Sequence, residues 1–484
     1  MEIVVIIGSL RSNPWHFLRD VLSDTNYVEI SNDYIYFSWN KRYIPFSEIV
    51  AECTSFSKLD DSVVDRTWFF DLVFRWTRDS VPDLMLIKNE CSKLESSLAQ
   101  YLSKFTILKS IGLYGIAHHL WNNIVESALN SLKVPTFKFY PLLDTNYSIL
   151  LCGYNELNSP FKVTNFPFEW SVPDQHLFDS LYTSLVQCNP QYTIREISLG
   201  SQFLPSNDLC RYDSALFAIK NLVNSTKFLF HPAYDPFSFS VKLRRRRTSI
   251  TRYAFAIASQ SNYFNLYDLS ANTYNYELMR GQLIVYANFQ PEATTCPEGG
   301  KYHSHLRLII RLKELFPDKL IFYKEHPASS LAYSSNGNPT YVGLNRSVNY
   351  LDSLMALGVK LIPRSNQLDL ATLIQYEITP ITINGTIALQ SALLGKTAIF
   401  AGHPWYEHFA QSLPLFHIDN REAKSCLSAS YLTHQPDTSL KLFSNFLQPY
   451  VIPNVFNFGK EDFVADSESI PSAKELLGYL LSSV

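Results

Sequence analysis

Between Leu283 and Phe400 short apolar runs recur at regular intervals, separated by stretches whose apolar residues follow helical spacing. The clearest run, Leu283-Ile284-Val285-Tyr286-Ala287, is apolar without alternation, so a strand there has to be covered on both faces. A parallel sheet flanked by helices meets that demand, whereas an antiparallel sheet with one wet face does not require it. The pattern predicts helices over 303–315, 349–357, 368–375 and 386–394, alternating with strands over 320–323, 359–362, 379–383 and 397–400. That rhythm predicts a doubly wound α/β unit.

A second unit of the same class begins the chain. The β-branched run at residues 3–7 ends in Gly8-Ser9, and Leu10 to Leu22 then carries apolar positions at helical spacing. Phe105-Thr106-Ile107-Leu108, a loop through Gly112 and Gly115, a helix from His119 to Leu132 and a strand at Val134–Phe139 repeat the arrangement. From about 150 to 275 Asn, Pro, Ser and Tyr blur the periodicity. With 484 residues the chain exceeds what one core usually supports. The expected division is an N-terminal domain over 1–280, a C-terminal domain over 281–455, and a tail over 456–484 whose segment Ala473–Leu481 is amphipathic and predicted helical.

Charge excludes some partners. The formal net charge of −3 gives no global positive field, so nucleic acid is not an expected partner; Arg244-Arg245-Arg246-Arg247 is the local exception, suited to anionic headgroups, a charged glycan or phosphate, or simply to water. The seven cysteines form no C-x-x-C pair, so neither a disulfide framework nor a zinc site is indicated. The start Met1–Gly8 lacks a basic, long-apolar leader, and no run approaches the roughly 20 apolar residues of a membrane span. A cytoplasmic protein is expected, with any membrane contact peripheral.

Three segments follow strands of the C-terminal unit, where ligands of open α/β sheets bind. After 283–287 comes Asn288-Phe289-Gln290-Pro291-Glu292-Ala293-Thr294-Thr295-Cys296-Pro297-Glu298-Gly299-Gly300. Glu292 there suits a nucleophile, a base or a stabiliser of positive charge at an anomeric carbon; the same loop also reads as a polar connection whose Thr residues cap the next helix. Lys324-Glu325-His326-Pro327 ends the next strand, where Lys324 and His326 suit a phosphate. Thr382-Ile383-Asn384-Gly385-Thr386 leads into a helix and offers backbone N–H groups at its positive end. Neither G-x-x-x-x-G-K-[ST] nor G-x-G-x-x-G occurs at these strands, which disfavours kinase-like and dinucleotide chemistry. In the first unit His118 and Glu126 are candidates to deprotonate an acceptor hydroxyl, although a helical Glu is commonly just solvated.

Tyr286 to Gly300 with its Gln-Pro-Glu core, Lys324-Glu325-His326-Pro327, Gly385-Thr386 through Gly395-Lys396, and Gly402-His403-Pro404-Trp405-Tyr406 together resemble the capsule polysaccharide biosynthesis family of bacterial glycosyltransferases, which includes the β-Kdo transferases. The resemblance covers about 125 residues; the N-terminal half matches loosely. It implies a GT-B fold, two Rossmann-like domains facing across a cleft with a C-terminal helix. It further implies transfer of an ulosonic acid, Kdo or a nonulosonic acid such as pseudaminic acid, from its CMP-activated form to a bacterial capsule or lipopolysaccharide glycan. His326 would contact the CMP phosphate and Glu292 would fall at the catalytic carboxylate of a retaining reaction. The implied nucleotide-sugar contacts are Gln290, Thr294, Thr295, Lys324, His326, Pro327, Asn384, Gly385, Thr386 and Gln390, the last standing where relatives often carry Glu. No D-x-D motif lies near these segments, so neither metal nor other cofactor is expected beyond the CMP-sugar substrate. The expected partners are the nucleotide sugar and a glycan acceptor, with peripheral contact to the inner membrane or a glycan assembly complex. The competing classes are a UDP-sugar 2-epimerase and a non-catalytic polysaccharide-binding or export protein.

Overall fold

The computed structural model describes residues 1–162 except 9, 11–21, 32–33, 54–55, 57–58, 71, 74–83, 115–119, 143–146 and 155–156; residues 177–179; and residues 262–453 except 272–274, 289–294, 327–345, 365–367, 369, 421–422 and 424–435. Arg244–Arg247 and the predicted helix Ala473–Leu481 lie outside them. The described strands form two sheets. The first contains β1 (Glu2–Ile7), β2 (Tyr27–Ile30), β3 (Tyr34–Phe37), β4 (Tyr43–Pro45), β5 (Thr106–Gly112), β6 (Thr136–Pro141), β7 (Tyr147–Tyr154), β8 (Leu157–Pro160) and β15 (Val451–Pro453). The second contains β9 (Leu283–Tyr286), β10 (Ile321–Lys324), β11 (Lys360–Ile362), β12 (Thr379–Thr382), β13 (Ala398–Phe400) and β14 (Leu415–His417).

In the first sheet β2, β1, β5 and β6 run parallel, while β3 and β4 extend one edge antiparallel and β7, with β8 and β15, the other. At its parallel centre β1 is uniformly apolar after Glu2: Ile3 to Ile7 are buried, and Ile3, Val5 and Ile7 share a core with Leu94, Leu98, Leu120 and Ile124 of the helices Leu84–Leu102 and Leu120–Ser131. The second sheet is parallel throughout, ordered β11-β10-β9-β12-β13-β14. Leu283, Val285, Ile321 and Tyr323 pack there against Leu308 and Leu312 of the helix His305–Leu315 and Leu351 and Leu354 of the helix Val348–Ala356. A helix over 262–270 adds Tyr263 and Tyr267 to this core, so the second unit draws on residues that precede 281.

Two Rossmann-like α/β units make up the described fold, one around each sheet. The crossing back is explicit. The helix Pro436–Leu447 places Leu440, Phe443 and Leu447 among Leu142, Ile149 and Leu151 of the first unit and Ala388, Leu389 and Trp405 of the second, after which β15 joins β7. Among the described residues no helix is long and apolar enough to cross a membrane.

Candidate functional site

Because β10, β9 and β12 are parallel neighbours, their carboxyl ends emerge side by side on one edge of the second sheet. Asn288, just past β9, ties that edge together. Its Oδ1 accepts from Thr382 Oγ1 at 3.0 Å and from the Ile383 N–H at 3.2 Å, and its own N–H donates to His305 Nε2 at 2.9 Å. Thr382 Oγ1 in turn accepts from the Gly385 N–H at 3.0 Å. A side chain at Gly385 would place its Cβ 2.6 Å from that hydroxyl, so glycine is required by the close approach. Gly385 is the N-cap of the helix Thr386–Leu393 and supplies no side-chain cap, which leaves the first-turn N–H groups facing the strand-end edge. Further along this helix Gln390 is buried, yet its Nε2 finds no hydrogen-bond partner among the described residues.

The Lys324-Glu325-His326 segment divides into two roles. Glu325 is completely buried and bound by Arg346, with Nε to Oε2 at 2.7 Å and Nη2 to Oε1 at 2.9 Å; the Tyr263 hydroxyl donates to Oε2 at 2.7 Å and the His326 N–H to Oε1 at 3.1 Å. Burial by itself raises the Glu325 carboxyl, but the Arg346 charge and hydrogen bonds overcome it and hold the group at about 2. Glu325 is therefore an anionic pin for the β10 end. Lys324 is buried too, and burial lowers its ammonium to about 8, with Glu325 pulling it up and Arg364 pushing it down. It stays mainly charged at neutral pH. His326, partly buried, is lowered to about 4, first by burial and then by Arg346 against the opposing effect of Glu325. At neutral pH the imidazole is uncharged and suits a hydrogen bond to a phosphate, with the Lys324 ammonium as a cation of the same strand end. His305 is lowered to about 3 by burial and Arg346; with Nε2 accepting from Asn288, its proton resides on Nδ1, a buried atom with no partner among the described residues.

The structure thus brings Lys324, His326, Asn384, Gly385, Thr386 and Gln390 to one edge and its adjoining helix. Asn384 is buried against Gly402, where an added Cβ would stand 2.1 Å from Asn384 Oδ1. Thr295 is buried and its carbonyl accepts from the Gly299 N–H, so it closes a turn at the far end of the loop that begins at Asn288. Gln290, Glu292, Thr294, Pro327 and His118 lie outside the described residues. Glu126 is neither solvated nor at a strand-end edge of the second sheet. It is completely buried, with Lys138 Nζ at 2.8 Å from Oε2 and the Tyr114 hydroxyl at 2.6 Å from Oε1. Lys138 also donates to Asn158 Oδ1 at 2.7 Å. Those partners make Glu126 the anchor of a buried network.

Sequence reading passed over Asn288, His305, Arg346 and the tyrosines that clamp Glu325. Asn288 stood within a quoted motif, and its position directly after β9 was the available signal; Arg346, 21 residues from Glu325, had none. Among the described residues no three His, Cys, Asp or Glu side chains gather as metal ligands.

No protein-family model matches the chain, and no curated protein does. Among solved structures it is similar to Thermosulfurimonas dismutans KpsC, described as a beta Kdo 2,7 transferase, at 10% identity and TM-score 0.32 over 99% of this chain and 100% of that one. A second KpsC structure from that organism, a beta Kdo 2,4 transferase, aligns at 10% identity and TM-score 0.25 over 72% and 81%. Methanocaldococcus jannaschii UDP-GlcNAc 2-epimerase, solved with UDP-GlcNAc and UDP, aligns at 11% identity and TM-score 0.22 over 93% and 99%. Likenesses of this size assign no residue a role, and the chemistry of the site has to be read from its own side chains.

Proposed function

We propose that the protein is a glycosyltransferase that moves an ulosonic acid, Kdo or a nonulosonic acid such as pseudaminic acid, from its CMP-activated form to a bacterial surface glycan. What carries the reading is the convergence of one buried ammonium, Lys324, the neutral imidazole of His326 and the bare N-terminus of the helix Thr386–Leu393 on a single sheet edge. Breaking the bond between the anomeric carbon and the phosphate leaves the electron pair on the nucleotide, and these groups are suited to receive that charge. We propose that these groups suffice for metal-independent transfer. The quoted sequence resemblance supplies the donor class and assigns Glu292, in the segment between Asn288 and Thr295, as the carboxylate that attacks or stabilises the anomeric carbon with retention. The same resemblance assigns Gln390, buried on the helix Thr386–Leu393, to the nucleotide sugar. A cytoplasmic location, with peripheral contact at the inner membrane, goes with such a donor.

Calorimetric titration with CMP and with UDP tests the donor class. CMP is expected to bind preferentially, and His326→Ala to weaken it. A preference for UDP would overturn the donor assignment in favour of an epimerase, and absence of binding to either would favour a non-catalytic glycan-binding protein. Transfer that vanishes in EDTA and returns with a divalent ion would overturn metal independence.

A further inference from the structure

Beyond the nucleotide edge, a cavity of about 640 Å³ lies where the two units meet, walled by Asn158 and Ser159 of β8 and by His403, Glu407, His408 and His417 around the ends of β13 and β14. Both units build it: His408 Nε2 and the Asn158 carbonyl are 3.1 Å apart. It adjoins the donor loops. The His403 N–H donates to the Glu298 carbonyl at 2.7 Å, Gly402 packs on Asn384, and the Tyr406 hydroxyl donates to the Gly385 carbonyl at 2.9 Å. This assigns a physical place to Gly402-His403-Pro404-Trp405-Tyr406, a motif the nucleotide site does not use.

The wall chemistry narrows the ligand. Among the described residues the lining contains no Lys or Arg and does contain the Glu407 carboxylate, so an anion is disfavoured. Its imidazoles, amides and carboxylate disfavour a wholly apolar guest. His403 Nδ1 is held 3.1 Å from Glu407 Oε2, and both side chains remain about a third exposed. His417 is fixed by the Asp419 N–H at Nδ1 and the Ala401 carbonyl at Nε2, which orients the ring that stacks beside His403 at 6.3 Å. Oriented imidazoles, amides and a carboxylate, with Phe400 and Phe416 also in the wall, suit a ring bearing several hydroxyls. We propose that this cavity is the acceptor subsite and takes a neutral sugar ring of the glycan being extended, its hydroxyls held by Glu407, His403 and Asn158. This rests on the transferase reading for the word acceptor, while the saccharide site itself stands on the cavity alone.

Saturation-transfer NMR of the full-length protein with a panel of neutral methyl hexopyranosides, run beside the CMP titration, tests it. At least one glycoside is expected to show transfer, and Glu407→Ala and Asn158→Ala each to reduce that signal several-fold while CMP binding stays unchanged. Asn158→Ala also loses a Lys138 contact, so Glu407→Gln, which keeps the shape, is expected to show the same selective loss. No transfer from any neutral glycoside in a protein that binds CMP would overturn the proposal, as would signals that survive in all three variants. Glycoside binding at Glu407 without any CMP binding would sink the nucleotide-sugar reading and leave the saccharide site standing.

Discussion

Lys324 stands under two opposed demands: burial removes the water that solvates an ammonium, and the proposed phosphate contact asks it to remain charged. The outcome, a value of about 8, has a sign that can be worked out. A bound phosphate favours the protonated form, so the group's value rises on binding and the complex takes up protons wherever free Lys324 is deprotonated. Affinity for CMP is therefore expected to be level from pH 7 to about 8 and to fall above it, by up to about tenfold per unit. Lys324→Met should weaken binding by roughly 10- to 100-fold, the worth of one charge-assisted hydrogen bond, and flatten the profile between pH 7 and 9.5. Calorimetry across that range decides it, and a variant that keeps the alkaline fall would assign the titration to another group.

At the scale of the element, β10 is held by a buried ion pair from outside its own sheet. Arg346 precedes the helix Val348–Ala356 and reaches Glu325, while Tyr263 arrives from the helix over 262–270. Replacing Arg346 by Met leaves Glu325 buried and unpaired, which should cost about 3–5 kcal/mol. Urea unfolding is the check, and Arg346→Lys is expected to rescue little because an ammonium cannot make both bonds. Since Glu325 lies at about 2, below its unfolded value, the pair's contribution is complete above the ordinary carboxylate range and is lost as pH falls from there through about 2. Loss of stability confined to pH above 6 would contradict this. The same elements show what the sequence discloses. Strand β9 was legible because both faces are covered and its residues are continuously apolar, and β10 because it is apolar up to Lys324, while β12, fully buried but with Thr at both ends, was legible from its place in the alternation of strands and helices. The short edge strands β3 and β4, which alternate with exposure, and β15, defined only by its pairing with β7, carry little signal of their own. Strand-end position singled out Lys324 and Asn384, which the parallel order of β10, β9 and β12 places along one edge of the sheet. It could not show that Glu126 pairs with Lys138, because the side on which a helical Glu lies depends on what packs over it.

For the whole molecule, the question is whether the two units are separate bodies joined by a linker. The helix Pro436–Leu447 argues that they are not, because Phe443 is wholly buried in a cluster to which both units contribute: Ile149 and Leu151 from β7, Leu389 and Trp405 from the second unit. A large-to-small change there removes packing from both sides at once, at a cost of about 3–5 kcal/mol. Phe443→Ala should therefore reduce amide hydrogen-exchange protection in β7 and in the helix Thr386–Leu393 by similar factors, as one cooperative opening. A substitution confined to one core, such as Leu98→Ala in the helix Leu84–Leu102, should act mainly on the first unit. If Phe443→Ala released protection in only one unit, the shared cluster would be a passive contact. If both release together, any motion of one unit against the other has to occur around this helix, with the paired β7 and β15 as the fixed side.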